Sequence, residues 1–223
     1  MRKLATLLDS SVGKKVVMAV TGLVLFGYVA GHVTGNLLVF LGREAINDYG
    51  RFLHTFLHGT GIWIARAGLL AAVVLHVWAS VTLTAENRAA RPVGYRRREN
   101  RESTLASRSM ILTGPVLAGF IVYHLAHFTT GSLHPSFVPG DVYHNLVVGF
   151  RSPGAAAFYA LAMLALGLHL YHGAWSMLQT LGASHPHWNL LRNRAAKVAT
   201  VLIVTGFLAI PAAVILGLLR EGK

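Results

Sequence analysis

Apolar residues along this chain fall into five long runs, at 16–40, 62–85, 110–131, 155–181 and 195–219, divided by segments rich in charge, glycine and proline. A hydrocarbon core of about 30 Å takes roughly 20 helical residues at about 1.5 Å each, and every run is long enough. The first run follows Met1, Arg2 and Lys3 as a secretory signal would. A signal's apolar core is only about 7–15 residues, however, and this run is longer and contains a histidine. The pattern therefore predicts an all-α membrane protein, a bundle of five transmembrane helices forming one domain over residues 1–223. The intervening segments at 42–61, 86–109, 132–154 and 182–194 are too short for a second domain.

Composition agrees: 54% of the 223 residues are hydrophobic, 13% are charged and the mean hydropathy is +0.53. Charge then predicts orientation, because short cytoplasmic loops carry the excess of Lys and Arg. Fourteen of the 20 basic residues fall on one side: Arg2, Lys3, Lys14 and Lys15, then seven between Arg88 and Arg108, then Arg192, Arg194 and Lys197. The expected arrangement has the N-terminus cytoplasmic and the C-terminus on the outer side. The net charge of +12 is mostly this topology signal. Nucleic acid is not an expected partner, since the basic residues border apolar runs and no stacking platform or groove-reading helix is visible. The cluster Tyr95-Arg96-Arg97-Arg98 is suited either to anionic lipid headgroups or to docking a soluble partner.

Four of the five runs hold a histidine deep inside: His32, His76, His124 with His127, and His169 with His172. An unsatisfied polar group in hydrocarbon costs several kcal/mol, so intramembrane histidines are rare and functional. Helix rise sorts them by depth. His32 and His124 lie roughly 11–12 Å below the outer edge, and His76 and His169 roughly 14–18 Å above the inner edge. Two facing imidazoles per layer suit the two axial positions of a porphyrin iron, whereas zinc wants about four ligands in a tetrahedron. The expected cofactors are two b haems. With no cysteine in the chain, neither an ordinary iron–sulfur cluster nor a covalently attached haem can be held here.

Small residues flank the proposed ligands, at Gly27, Ala30, Gly31 and Gly35 and again at Ala165, Gly167, Gly173 and Ala174. They suit close helix packing and a flat macrocycle equally. A short repeat is more specific: Thr21-Gly22 precedes His32 by 11 residues, and Thr113-Gly114 precedes His124 by the same interval. The repeat favours His124 over His127, which shares nearly the same helical face.

These residues resemble a known family, the single-chain, five-helix, two-haem membrane-anchor cytochrome b of succinate dehydrogenases and fumarate reductases. The resembling stretches begin at Ser11-Val-Gly-Lys-Lys and at His32-Val-Thr-Gly-Asn-Leu-Leu-Val-Phe, with Asn47-Asp-Tyr. They continue at Tyr123-His-Leu-Ala-His-Phe and His169-Leu-Tyr-His-Gly-Ala-Trp-Ser-Met-Leu-Gln-Thr-Leu-Gly. The resemblance runs along essentially the whole chain. It implies that His32 and His124 hold the distal haem and His76 and His169 the proximal one, with Gly173 following His169 by four residues as in the family. It implies a flavoprotein subunit carrying the succinate site and an iron–sulfur subunit, both cytoplasmic, and a membrane quinone, menaquinone or ubiquinone, as electron acceptor. It also implies residence in a prokaryotic cytoplasmic membrane, in contact with lipid, as part of a respiratory enzyme of the tricarboxylic acid cycle.

His127 and His172 then become residues that pack behind the ligands, contact haem propionates or form a quinone site. Asp48, Arg51, His54 and His58 in the outer segment, or groups near the inner ends of the spans, are alternative quinone candidates. Their bland reading is a solvated amphipathic loop helix with Phe52, Phe56 and Leu57 packing inward. Some relatives carry a buried glutamate two residues before the fourth-run ligand, where this chain has Gly167. His185-Pro-His187-Trp188 reads as a turn beside an interfacial tryptophan, and His134 and His144 as solvated loop residues. Two rival functions remain. One is another two-haem transmembrane reductase. The other is a proton-coupled transporter with a histidine relay, which would require acidic partners that the runs almost lack.

Overall fold

The computed structural model describes residues 9–90 and 104–222; the Tyr95–Arg98 cluster lies outside them. Seven α-helices occur among the described residues: α1 Ser11–Asn36, α2 Arg43–Thr55, α3 Thr60–Ala89, α4 Leu105–Phe128, α5 Val142–Phe150, α6 Pro153–Thr180 and α7 Pro186–Ile215. Five of them, α1, α3, α4, α6 and α7, are long and apolar enough to cross a membrane, so the chain is a multi-pass integral membrane protein.

Helix starts follow local chemistry. Ser10, Thr104 and Ser152 accept a hydrogen bond from the backbone three residues on, and Pro153 and Pro186 occupy first-turn positions where no N–H is needed. The third and fifth apolar runs overshoot their helices, which stop at Phe128 and Ile215. Most of the segment at 182–194, expected as a loop, belongs to α7, because Pro186 starts the helix well before the apolar stretch does.

The central helix is α6, packed against α1, α4 and α7, while α1 also packs along α3. Two hairpin-like pairs result, α1 with α3 and α4 with α6. Large apolar side chains such as Leu23, Ile64, Leu70, Ile111, Leu112, Leu161 and Leu202 are exposed. In water such a surface would drive aggregation, whereas in lipid it is the solvated face. At the end of the bundle where α1 starts, the buried ammonium of Lys14 is paired with Glu86, tying the start of α1 to the end of α3.

At the opposite end two segments expected as loops contain helices. The short helices α2 and α5 pack on each other and close the bundle over the largest core cluster, which includes Val39, Ile46, Val147, Phe150, Tyr159 and Ile210. Asp141 caps α5 through the backbone N–H of His144, and it also accepts from Asn47 at 3.0 Å and pairs with Arg43. Asn47 in turn accepts the Tyr143 N–H at 3.0 Å. Tyr49 lies against Gly35, where an added Cβ would sit 2.5 Å from the ring. The segments at Gly35 and at 47–49 are therefore the joint between α1, α2 and α5.

Phe52, Phe56 and Leu57 do not pack inward: all three are exposed, Phe52 on α2, whose one buried residue is Ile46, and Phe56 and Leu57 in the 3-10 turn Phe56–Gly59 that follows it. That exposed apolar edge suits a helix lying at a membrane surface.

His144, expected as a solvated loop residue, pairs with Glu221 at 3.1 Å and bonds the Ser136 carbonyl at 2.9 Å, which ties α5 to the C-terminal segment. The Glu221 partner raises the His144 pKa above the ordinary histidine value, and burial opposes this only in part. A folded-state pKa above the unfolded one stabilises fully at pH below the unfolded value and is lost as pH rises through the folded one. Thermal melting in detergent should therefore show a loss of stability across that window, and Glu221→Gln should flatten it. An identical pH profile in Glu221→Gln would remove this tie.

Candidate site of paired histidines

The structure brings the four lead histidines together in two pairs. The rings of His32 on α1 and His124 on α4 have their centres 5.8 Å apart, and those of His76 on α3 and His169 on α6 are 6.3 Å apart. Thr21 on α1 touches His76, and Thr113 on α4 touches His169. Thr21 and Thr113 each lie 11 residues before the paired histidine of their own helix, His32 and His124, so the two layers stand about 16 Å apart along the bundle.

A metal–imidazole bond is about 2.0–2.1 Å and the ring nitrogen lies roughly 1.2 Å from its ring centre, so two axial rings on one ion have centres about 6.4 Å apart. Both pairs are close to that separation. Each pair, moreover, joins helices that are not otherwise packed: α1 with α4, and α3 with α6, are absent from the packed pairs among the described residues. All four rings are half-buried. An added Cβ on Gly27, Gly31, Gly114, Gly119 or Gly173 would meet nothing within 4 Å, so the small residues beside the histidines leave open space. Among the described residues no three His, Cys, Asp or Glu side chains converge, which leaves each layer two imidazoles as its donor set. Two axial donors beside space bounded by glycine fit a haem, and they lack the four side-chain donors of a zinc site.

The partners on the ring nitrogens differ between layers. His76 Nδ1 lies 3.1 Å from the Thr21 hydroxyl and 3.2 Å from the Met18 carbonyl, and His169 Nδ1 lies 3.3 Å from the Thr113 hydroxyl. In the His32–His124 pair, His124 Nδ1 lies 3.2 Å from the Tyr159 hydroxyl, while His32 presents Nε2 to the Asn36 amide at 3.2 Å.

His127 lies against Tyr159, Phe128 and His134. It is 1% exposed, with Nδ1 3.2 Å from the same Tyr159 hydroxyl and its ring 5.2 Å from that of His134. His134, expected in solvent, is buried: its Nε2 meets the Asn145 carbonyl at 2.8 Å and its Nδ1 accepts from Ser136 N at 3.1 Å. The loop folds back under α5 because these bonds satisfy both ring nitrogens there. A cavity of about 370 Å³ opens beside this cluster, lined by Tyr123, His127, Ser132 and His134 among others. A groove of about 500 Å³ runs along Ala30, Gly31, Thr34 and Gly35 to Tyr49.

The remaining candidates lie elsewhere. His172 is half-buried, one turn beyond His169. Asp48 and Arg51 form an exposed ion pair at 3.0 Å on α2; His54 at its end and His58 in the turn beyond are also exposed, so the structure does not bring these four to the paired histidines. Gly167 packs against α7, an added Cβ falling 3.3 Å from Val204. His185 and His187 stack on each other at the exposed start of α7. Sequence reasoning missed Tyr159, Asn36 and His134. Comparison with protein-family models, with curated proteins and with solved structures found no match to this chain.

Proposed function

We propose that this chain is the membrane-anchor cytochrome b subunit of a succinate:quinone oxidoreductase, lodged in a prokaryotic cytoplasmic membrane with its N-terminus inside. The reading is carried by one observation: two histidine pairs at two depths, each spanning a gap between unpacked helices at 5.8 and 6.3 Å between ring centres. His32 with His124 would hold the outer haem and His76 with His169 the inner one. When bound, the haems carry single electrons between the iron–sulfur partner and a membrane quinone.

The chain's own residues do the rest. The helices exclude water from the imidazoles, and Thr21, Thr113 and Tyr159 fix ring orientation through Nδ1. The cavity beside Tyr123, His127 and His134 offers hydrogen-bonding groups for a quinone headgroup near the outer pair, a better-placed candidate than the exposed Asp48, Arg51 and His54.

Reduced-minus-oxidised visible spectra of the purified chain test this reading. Two low-spin b haems per chain are expected, with reduction by succinate once the flavoprotein and iron–sulfur subunits co-purify. A folded chain that takes up no haem would refute it. Haem binding without response to succinate in the complex would favour another two-haem membrane reductase.

A further inference from the structure

The repeated Thr-Gly element does not serve the outer histidines it precedes. Each threonine is buried and crosses to the neighbouring helix, where it meets an inner histidine: Thr21 meets His76 at 3.1 Å and Thr113 meets His169 at 3.3 Å. A hydroxyl has one proton to give. Thr21 donates it to the Val17 carbonyl at 2.7 Å and Thr113 donates to the Ser109 carbonyl at 3.1 Å, each back-bonding within its own helix. What each hydroxyl then turns toward the imidazole is a lone pair, so the ring nitrogen facing it must be the donor. For His76 the Met18 carbonyl at 3.2 Å makes the same demand, because a carbonyl can only accept.

We propose that Thr21 and Thr113 are a matched pair of positioning residues that fix His76 and His169 with the proton on Nδ1. The lone pair on Nε2 is thereby left free to bind one shared metal ion. This rests on the cytochrome reading above for the identity of that ion. The outer layer is built differently, since Tyr159 shares a single hydroxyl between His124 and His127 and His32 offers Nε2 to Asn36. A ligand imidazole that donates from its second nitrogen is more basic and favours the oxidised iron. Removing the acceptor should therefore raise the reduction potential of the inner haem alone.

Redox titration of the two-haem chain gives the test, the inner haem being identified as the one lost in His169→Ala. Thr113→Val should keep both haems and shift the inner potential upward, with the outer potential unmoved. Thr21→Val should shift the same haem by less, because Met18 still accepts from His76. Thr113→Ser should restore the original value. An unmoved inner potential in Thr113→Val at full haem content, or an equal shift of both haems, would overturn the proposal. If Thr113→Val does not assemble, nitrogen NMR of the 15N-histidine-labelled chain without haem decides the matter. Nδ1–H signals from His76 and His169 are expected, and Nε2–H signals would overturn it. A chain that binds no haem refutes the cytochrome reading and leaves this tautomer measurement to decide the present one.

Discussion

Alanine at His32 or at His124 is expected to remove one and the same b haem, and alanine at His76 or at His169 to remove the other. Each ring stands opposite only one other at ligand distance, 5.8 Å for the outer pair and 6.3 Å for the inner. Losing either member leaves one imidazole to hold a group that two were placed to clamp, and no third His, Cys, Asp or Glu converges on either pair among the described residues. The reduced-minus-oxidised band should fall to about half in each single variant, with the two members of a pair giving the same residual spectrum. His127→Ala and His172→Ala should keep both haems, since the facing rings are those of His32 with His124 and His76 with His169. Two variants of one proposed pair that lose different haems would break the pairing, and an unchanged spectrum in all four would remove the haem assignment altogether.

The spans were legible because hydrocarbon imposes a coarse rule: a run must be long, apolar and helical, and the rule needs no partner to be known. The histidine layers were legible for a related reason. Helix rise converts position along the chain into depth, so His32 and His124 could be matched without contacts. What failed depended on contacts between distant segments. The 42–61 and 132–154 segments mix charge with apolar residues, and the helices α2 and α5 emerge only through mutual packing and the Asp141 hub, which draws on Arg43 and Asn47 nearly 100 positions away. His134 sits among Gly131, Ser132 and Pro135, a loop composition, and nothing local signals that Asn145 folds over it. Tyr159 stands in an apolar run with no pattern to mark it. The Thr-Gly repeat was visible as a pattern, but its partners lie on other helices, so spacing alone could not assign them.

Gly149→Val tests how tightly the outer pair is held by the end of the bundle. Gly149 lies on α5, and an added Cβ would fall 2.9 Å from Phe128, 3.0 Å from Nε2 of His134 and 3.1 Å from Cε1 of His127. His127 and His134 border the cavity, but each is held by a hydrogen bond that yielding would strain. His127 is 1% exposed and its ring centre is 4.2 Å from that of Phe128, while His134 is pinned to the Asn145 carbonyl in the next turn of the same helix. Overpacking of this kind costs about 1–3 kcal/mol, and valine, with two methyl groups beyond the Cβ, belongs at the upper end. The displacement has one route onward: His127 shares the Tyr159 hydroxyl with His124, each at 3.2 Å, so pushing His127 disturbs the bond that orients an outer ligand. Thermal melting should show the destabilisation, and the haem spectrum should show weakening of the outer haem while the inner haem, anchored by Thr21 and Thr113 about 16 Å deeper, is kept. Gly149→Ala should fall between the two. A valine variant with both haems intact and an unchanged melting temperature would mean that α5 does not bear on the histidine cluster, and the outer site would then be supported by α1, α4 and α6 alone.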